Sequence, residues 1–346
     1  MEDEHLKPCL VQLEEGKKYA WCSCGKSRTQ PFCDGSHKGS KKAPFVYKAQ
    51  KTEEVLLCNC KATKFPPFCD GSHNNLDDGY AEATPEEIVK FSNAIEIERD
   101  KLCKKSLLDG GAYVLTPNIK KAGSLAGLLV QQVITQKYGA HHLSLHLLSI
   151  KKGLTKPLCS KNSDVVLFIV SGEGTVNISG RSFAIGPEMG LFVKANEAIQ
   201  FETKAKLDVF AAICPQGELT VSKSPTSFYE KYPDRLEKVD HKKATVMADR
   251  FFQILVGEEI GSKEVTQFLG EVPKSRAAMH QHLYEEAIVI LSGSGTMWTE
   301  TKKTSVNVGD VIFLPKRQAH SLECKSEDGL RLMGVFYPSG SPAINY

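Results

Sequence analysis

The chain has 346 residues, 41% hydrophobic and 25% charged, an ordinary globular composition that argues against collagen-like, disordered and membrane-embedded classes. At roughly 150 residues per domain the length predicts two or three units. Lysine and arginine number 44 against 41 acidic residues, a net charge of +3, which argues against a dedicated nucleic-acid surface. No run approaches the roughly 18 apolar residues of a membrane span. The acidic start, residues 1–5, lacks the apolar core of a secretory signal and the Arg-rich face of a transit peptide. Eleven cysteines stand out in such a chain. An odd number cannot all pair, so a reducing, cytoplasmic setting with thiolates as metal ligands is predicted.

In chain order, six of these cysteines come first, in two blocks. Cys22, Cys24, Cys33 and His37 recur as Cys58, Cys60, Cys69 and His73, each 36 residues later. Both blocks place a proline (Pro31, Pro67) two residues before the third cysteine, and both read Cys-Asp-Gly-Ser-His. Four ligand-type residues repeated at one offset mark an internal repeat. Cys-x-Cys in an extended segment lets two thiolates reach one centre. Asp34 and Asp70 are good helix N-caps, and a turn after each would bring His37 toward Cys33 and His73 toward Cys69. Each block therefore offers three sulfurs and one imidazole nitrogen. Zinc takes such a set tetrahedrally, though its usual spacing is Cys-x2–4-Cys, and a [2Fe–2S] cluster takes it with two ligands per iron. Ligand chemistry leaves that choice open.

The blocks resemble the CDGSH iron–sulfur family at every defined position: Cys22, Cys24, Ser27, Pro31 and Cys33 through His37, then Cys58, Cys60, Thr63, Pro67 and Cys69 through His73. The resemblance is to the mitoNEET-related, two-motif type. It implies two [2Fe–2S] clusters, with Cys22 and Cys24 on one iron, Cys33 and His37 on the other, and the second block likewise. Three thiolates and one neutral imidazole would leave a cluster less negative than four thiolates do, with a potential above plant-type ferredoxins. His37 and His73 would also offer coupling to protonation.

After a polar stretch at 74–79, Thr84-Pro85-Glu86-Glu87 reads as a helix start. Ile88, Phe91, Ile95 and Leu102 recur at roughly helical spacing up to Gly110-Gly111, so 81–111 is predicted to be a linker with a helix, and Cys103 an ordinary helix thiol. From about residue 112, strand-like runs at 142–150, 165–170, 287–291 and Val311–Leu314 alternate with Gly-rich turns. Residues 170–176 are mirrored by 291–297, 121 residues on. The expected fold is mainly β: a small tandem CDGSH domain over 1–80, then two jelly-roll barrels over 112–235 and 236–346.

The second barrel carries His280-x-His282-x3-Glu286, then Gly293, Gly309-Asp310, Pro315 and His320. Alternation would put His280 and His282 on one face, and Glu286 could reach the same point. Three imidazoles and a carboxylate suit Fe(II), Mn(II), Ni(II) or zinc with positions left for substrate or O2. These segments resemble the two motifs of the cupin superfamily. The second departs where Arg317 replaces the usual Gly and Cys324 the common Asn, which puts its loop geometry in doubt but spares the ligand positions. The same steps in the first barrel reach Cys159, Lys161, Val165 and Gln200, which cannot make that site. A degenerate barrel packed on its partner, a bicupin, is expected. His141, His142 and His146 follow no ligand spacing and read as structural or exposed.

The leading functional expectation is an iron–sulfur redox protein fused to a metal-binding bicupin, a non-haem dioxygenase-like oxidoreductase whose clusters feed electrons to the cupin metal. The metal would be Fe, with Mn, Ni or Zn as alternatives. Two other classes stand beside it: a non-enzymatic iron–sulfur sensor or cluster-transfer protein with a ligand-binding bicupin, and a cupin isomerase for sugar phosphates. Expected partners are a redox partner or iron–sulfur assembly protein, a small-molecule substrate and a second copy joined through the cupins, with no nucleic acid and no membrane.

Overall fold

The computed structural model describes residues 8–63, 65–69, 91–223, 226–247 and 250–342. The chain divides into two units, Met1–Tyr80 with Ser341–Tyr346, and Ala81–Gly340. Among the described residues the regular elements are strands and short 3-10 turns. Among the described residues no helix is long and apolar enough to cross a membrane.

In the first unit the repeat is interlocked. Cys9–Leu13 pairs antiparallel with Glu53–Leu57, and Lys18–Trp21 pairs with Phe45–Lys48. The first strand of each block thus completes a two-stranded ribbon with the second strand of the other. Isolated two-stranded ribbons are marginal in water, so the buried Leu13, Trp21 and Leu57 must hold them. The Trp21 indole N–H donates to the Cys58 carbonyl at 2.7 Å, fixing one block to the other.

In the second unit the first barrel's larger sheet runs, in spatial order, Leu236–Lys238, Met189–Val193, Asp164–Ser171, Leu207–Cys214, Ser144–Ile150, Leu128–Ile134 and Gly123–Leu125. The second barrel repeats the plan at the same 121-residue offset: Asp164–Ser171 corresponds to Glu285–Ser292, Gly174–Ile178 to Gly295–Thr299, and Arg181–Ile185 to Lys302–Val306. Gly172 and Gly293 occupy equivalent turns at φ +85° and +78°. A Cβ there would lie 2.2 Å from the Lys206 carbonyl oxygen or 2.4 Å from that of Gly329, so only glycine fits. Along Asp164–Ser171, Val165, Leu167 and Ile169 fill the barrel, while Val166 and Phe168 pack with Val289, Phe313 and Val335 of the second barrel. Burial of both faces explains the unbroken apolar run.

The helix predicted up to Gly110-Gly111 is a correction. Residues 84–90 lie outside the described residues, and 91–111 hold strands at Ile95–Glu96 and Lys105–Leu107 and a short 3-10 turn at Asp109–Gly111. Ile95 and Leu102 are 63% and 82% exposed, so their spacing marks no buried face. Pairing decides instead: Ile95–Glu96 joins Lys302–Val306, and Lys105–Leu107 joins Tyr113–Leu115, which joins Val311–Leu314. These strands belong to the second barrel's sheets, and Leu236–Lys238 belongs to the first. The strands therefore cross the boundaries drawn at 111/112 and 235/236. Arg99 secures the early segment through buried Asp310 at 2.7 Å, and Thr116 donates to the same carboxylate at 2.6 Å.

Fully buried Arg235 secures the other exchange. Its guanidinium donates to both oxygens of buried Glu197 at 2.9 Å and to the Phe192 and Tyr229 carbonyls. Removing one partner of a buried pair strands the other charge, so Arg235→Ala should cost about 3–5 kcal/mol. Lys206→Ala, in the exposed pair with Asp208, should cost under about 1 kcal/mol. Urea unfolding checks both, and equally small losses would refute the anchoring role.

Candidate functional site

The first block's ligand-type residues sit on a turn held by backbone bonds. Cys22 N–H donates to the Pro31 carbonyl at 2.9 Å and Cys33 N–H to the Ala20 carbonyl at 2.8 Å. Asp34 accepts from the Ser36 and Arg28 N–H groups; it caps a tight turn, not a helix, and those bonds hold its carboxyl well below the usual range. The Sγ atoms of Cys22 and Cys24 lie 3.7 Å apart, and Cys33 Sγ lies 3.1 Å from His37 Nδ1. The second block repeats this: Cys58 N–H to Pro67, Cys69 N–H to Leu56, and Cys58 and Cys60 Sγ 3.4 Å apart. His73 lies outside the described residues.

Lys61 is a residue that spacing alone did not single out. Its Nζ donates to Gln30 Oε1 at 2.8 Å and to the Cys58 carbonyl at 3.2 Å. Gln30 in turn directs its Nε2 at Cys22 Sγ, 3.5 Å away. A cation is therefore tied to the thiol pairs of both blocks. Further N–H groups face sulfur: Gly35 toward Cys33 and Ala62 toward Cys60, each at 3.4 Å.

The second barrel brings its predicted quartet together. His280 and His320 exchange backbone hydrogen bonds at 3.0 and 2.8 Å across an isolated bridge. Glu286 projects from Glu285–Ser292. One nitrogen from each of His280, His282 and His320 lies within 4.8 Å of the other two. Glu286 Oε2 is 3.5 Å from His282 Nε2 and 3.8 Å from His320 Nε2. The other ring nitrogens are engaged outward: His280 Nδ1 with the Ala278 carbonyl, His320 Nδ1 with the Gln318 carbonyl, and His282 Nδ1 with the Tyr284 hydroxyl at 3.1 Å. Such bonds fix ring orientation and turn the other side of each ring toward the shared centre.

Burial shapes the electrostatics here. It pushes the Glu286 carboxyl up to about 8 and His320 down to about 4, and burial with the neighbouring His320 ring drives His280 well below its ordinary range. The His280 and His320 imidazoles are thus neutral, as ligation requires. Glu286 Oε2 is buried with no hydrogen-bond partner, a costly state for a carboxylate. A divalent cation among the Nε2 atoms would satisfy it, so the donor set fits a metal ion. Tyr284 and Phe336 pack at 4.2 Å beside it.

Glu285, one residue earlier, escaped the sequence reading. Its buried carboxylate accepts the backbone N–H groups of His141, His142 and Leu143 at 2.8, 2.8 and 3.0 Å. No sequence signal announces a contact across more than 140 residues. In the first barrel, Val165 is buried in the apolar core, Lys161 is exposed, and Gln200 donates to the Thr155 carbonyl. Among the described residues the only His/Cys/acid cluster identified as able to hold one metal ion is that of His280, His282 and His320.

Comparison with known proteins gives two family matches: "Iron-binding zinc finger CDGSH type" over residues 5–38 and "Cupin domain" over residues 270–336. The human CDGSH iron-sulfur domain-containing protein 3, mitochondrial, is 53% identical over 50 residues, 14% of this chain and 39% of that protein. Uncharacterized protein MJ1618 of Methanocaldococcus jannaschii is 35% identical over 80 residues, 22% of this chain and 64% of that protein. The chain thus spans about two fifths of the human relative's length. Among solved structures, Ylba from E. coli aligns with a TM-score of 0.52 at 15% identity, covering 68% of this chain and 94% of that one. A variant of Bacillus subtilis oxalate decarboxylase OxdC aligns with a TM-score of 0.52 at 12% identity, covering 65% and 78%. At these identities the structural likeness concerns the fold alone.

Arg317, where the motif has glycine, adopts φ +63°, the left-handed region that costs a side-chain-bearing residue roughly 1–2 kcal/mol. The turn is kept, and its N–H donates to the His282 carbonyl at 2.7 Å. Arg317→Gly should therefore raise stability by up to about 1 kcal/mol, the gain being partly offset by glycine's freedom in the unfolded chain. Urea midpoints check this; a clear loss would show that the arginine side chain outweighs the strain.

Proposed function

We propose that this chain, which joins an N-terminal CDGSH-type domain to a bicupin ending in a metal-type cupin, is an iron–sulfur redox protein with an oxygenase-like metal centre. The observation that carries this reading is the coexistence of repeated, partly buried thiol pairs with a largely buried His3Glu set in which burial keeps His280 and His320 neutral. Cys22 with Cys24, and Cys33 with His37, would hold the irons of one [2Fe–2S] cluster, and Cys58, Cys60, Cys69 and His73 those of a second. His280, His282, Glu286 and His320 would hold one divalent metal, with iron the choice that best suits O2 chemistry. When bound, these groups supply one-electron transfer and O2 activation.

The chain's own residues do the rest. Outward bonds at Nδ1 aim the three imidazoles inward, and Glu286, which burial alone favours protonated, would ionise beside a bound cation and contribute negative charge. Tyr284 and Phe336 give the centre an apolar wall. Covalent fusion keeps donor and acceptor at high effective concentration. An external redox partner would reduce the clusters, and the substrate would be a small molecule.

Anaerobically purified protein should contain about four irons and four acid-labile sulfides plus about one further metal per chain. Reducing the clusters should reduce the cupin metal, read by electron paramagnetic resonance, or drive O2 uptake. Filled clusters that do neither would end the electron-feeding reading, and a colourless zinc protein would end the cluster reading.

Lys61 supplies a finer test. A nearby cation stabilises the reduced, more negative cluster, so Lys61→Met should lower both midpoint potentials. The reduction equilibrium should shift by about tenfold or less. Potentiometric titration reads the shift, and unchanged potentials with both clusters in place would rule out a tuning role.

A further inference from the structure

We infer that the first barrel holds a separate binding site for a small uncharged polyol, built around His146, Thr135 and Ser144. The site is a cavity of about 500 Å3 whose lining includes Gln132, Thr135, Tyr138, Ser144, His146 and Gln216, within the roughly 300–1,000 Å3 range of ligand pockets. Along Ser144–Ile150 the side chains alternate. Leu145 and Leu147 face the core between the barrels, and Leu148 and Ile150 face the barrel interior. His146 shares the inward face with Leu148 and Ile150. It holds none of the positions equivalent to the second barrel's metal-type residues, and the strand places it opposite Gln132 and Ala211.

The polar atoms in this cavity are unusual. His146 is 2% exposed, yet neither ring nitrogen has a hydrogen-bond partner among the described residues. The buried Thr135 hydroxyl has none either. Leaving such groups unpaired incurs the full desolvation penalty of each. A ligand that pairs them recovers that cost.

The lining also selects the ligand's chemistry. Burial alone holds the His146 ring neutral down to about 4, so the ring offers one N–H donor and one bare nitrogen acceptor. Thr135 offers a hydroxyl. Ser144 donates to the Gly217 carbonyl at 2.9 Å and retains an acceptor. Lys137 and Glu218, the charged residues of the lining, are opposite in sign. A carboxylate only accepts, and would set lone pair against lone pair at the bare nitrogen. An ammonium group only donates, and would meet the N–H. A hydroxyl does both, and several adjacent hydroxyls match the cluster. Phosphates and acids are disfavoured for the same reason.

The test uses the full chain with xylitol and D-glucose as probes and acetate as the contrast, followed by isothermal titration calorimetry. Saturable binding of at least one polyol at millimolar or lower concentration is expected, with none for acetate. Thr135→Val should weaken it about tenfold, and His146→Phe should abolish it. If His146→Phe does not fold, imidazole nitrogen resonances in the unaltered chain replace it: the His146 signals should move with the polyol. Absence of heat and of resonance shifts with both polyols would mean that water alone fills the cavity, and the proposal falls. Binding that survives both substitutions, or that favours acetate, overturns it equally.

Discussion

Pairing across repeats, rather than within them, is the constraint on which both units depend. In the first unit, Cys9–Leu13 finds its partner in Glu53–Leu57 and Phe45–Lys48 finds its own in Lys18–Trp21. In the second, Tyr113–Leu115 extends the sheet of the second barrel through Val311–Leu314, and Leu236–Lys238 extends that of the first through Met189–Val193. A strand edge left open exposes unpaired N–H and carbonyl groups, so each repeat withdrawn from its partner would expose one. The duplicated sequence thus encodes interdigitated pairs, and a cut at the apparent midpoint of either would remove a strand from both halves.

This interlocking accounts for a barrel that has no metal-type residues of its own. Adjacent Glu285 and Glu286 are both buried, and they are satisfied in opposite ways. Glu285 takes three consecutive backbone N–H groups from the loop at 141–143 in the first barrel, a nest of the kind that binds anions. Glu286 has an oxygen with no partner and faces the imidazoles. Glu285 pins the start of the strand from which Glu286 projects, so the first barrel positions a carboxylate in the second. A barrel can lose its metal-type residues and still be needed for its neighbour's geometry.

Much of this was legible in the sequence, for identifiable reasons. The 36- and 121-residue offsets survive in space because repeated residues make repeated bonds: Cys22 to Pro31 and Cys58 to Pro67 are the same contact twice. His280, His282, Glu286 and His320 were legible because their spacing reflects one turn and one strand. From residue 91 on, the predicted helix gives way to strands because Phe91, Ile95 and Leu102 carry a helical spacing without a common buried face. What decides their conformation is an edge some 200 residues away, at Lys302–Val306. Arg317 was legible as a departure but not as a tolerated one, since only the backbone angle reveals a left-handed arginine. Lys61 and Glu285 had no signal, because each acts through a fold contact with no fixed spacing.

The histidines show most clearly where reading by spacing stops. His146 lacks ligand spacing, and it is buried as a structural residue would be. Yet a structural histidine earns its burial by hydrogen bonding, and among the described residues His146 has no partner at either nitrogen. His320 is also buried and His280 partly so, but each has one nitrogen tied to a carbonyl and the other turned to a shared centre. The same residue type, in two related barrels, therefore meets two environments. In one, three imidazoles converge with the Glu286 carboxyl and suit a cation. In the other, a single neutral imidazole faces hydroxyl and amide groups and suits a ligand that both gives and takes hydrogen bonds. A barrel without a metal-type set offers a cavity whose polarity suits a different kind of molecule.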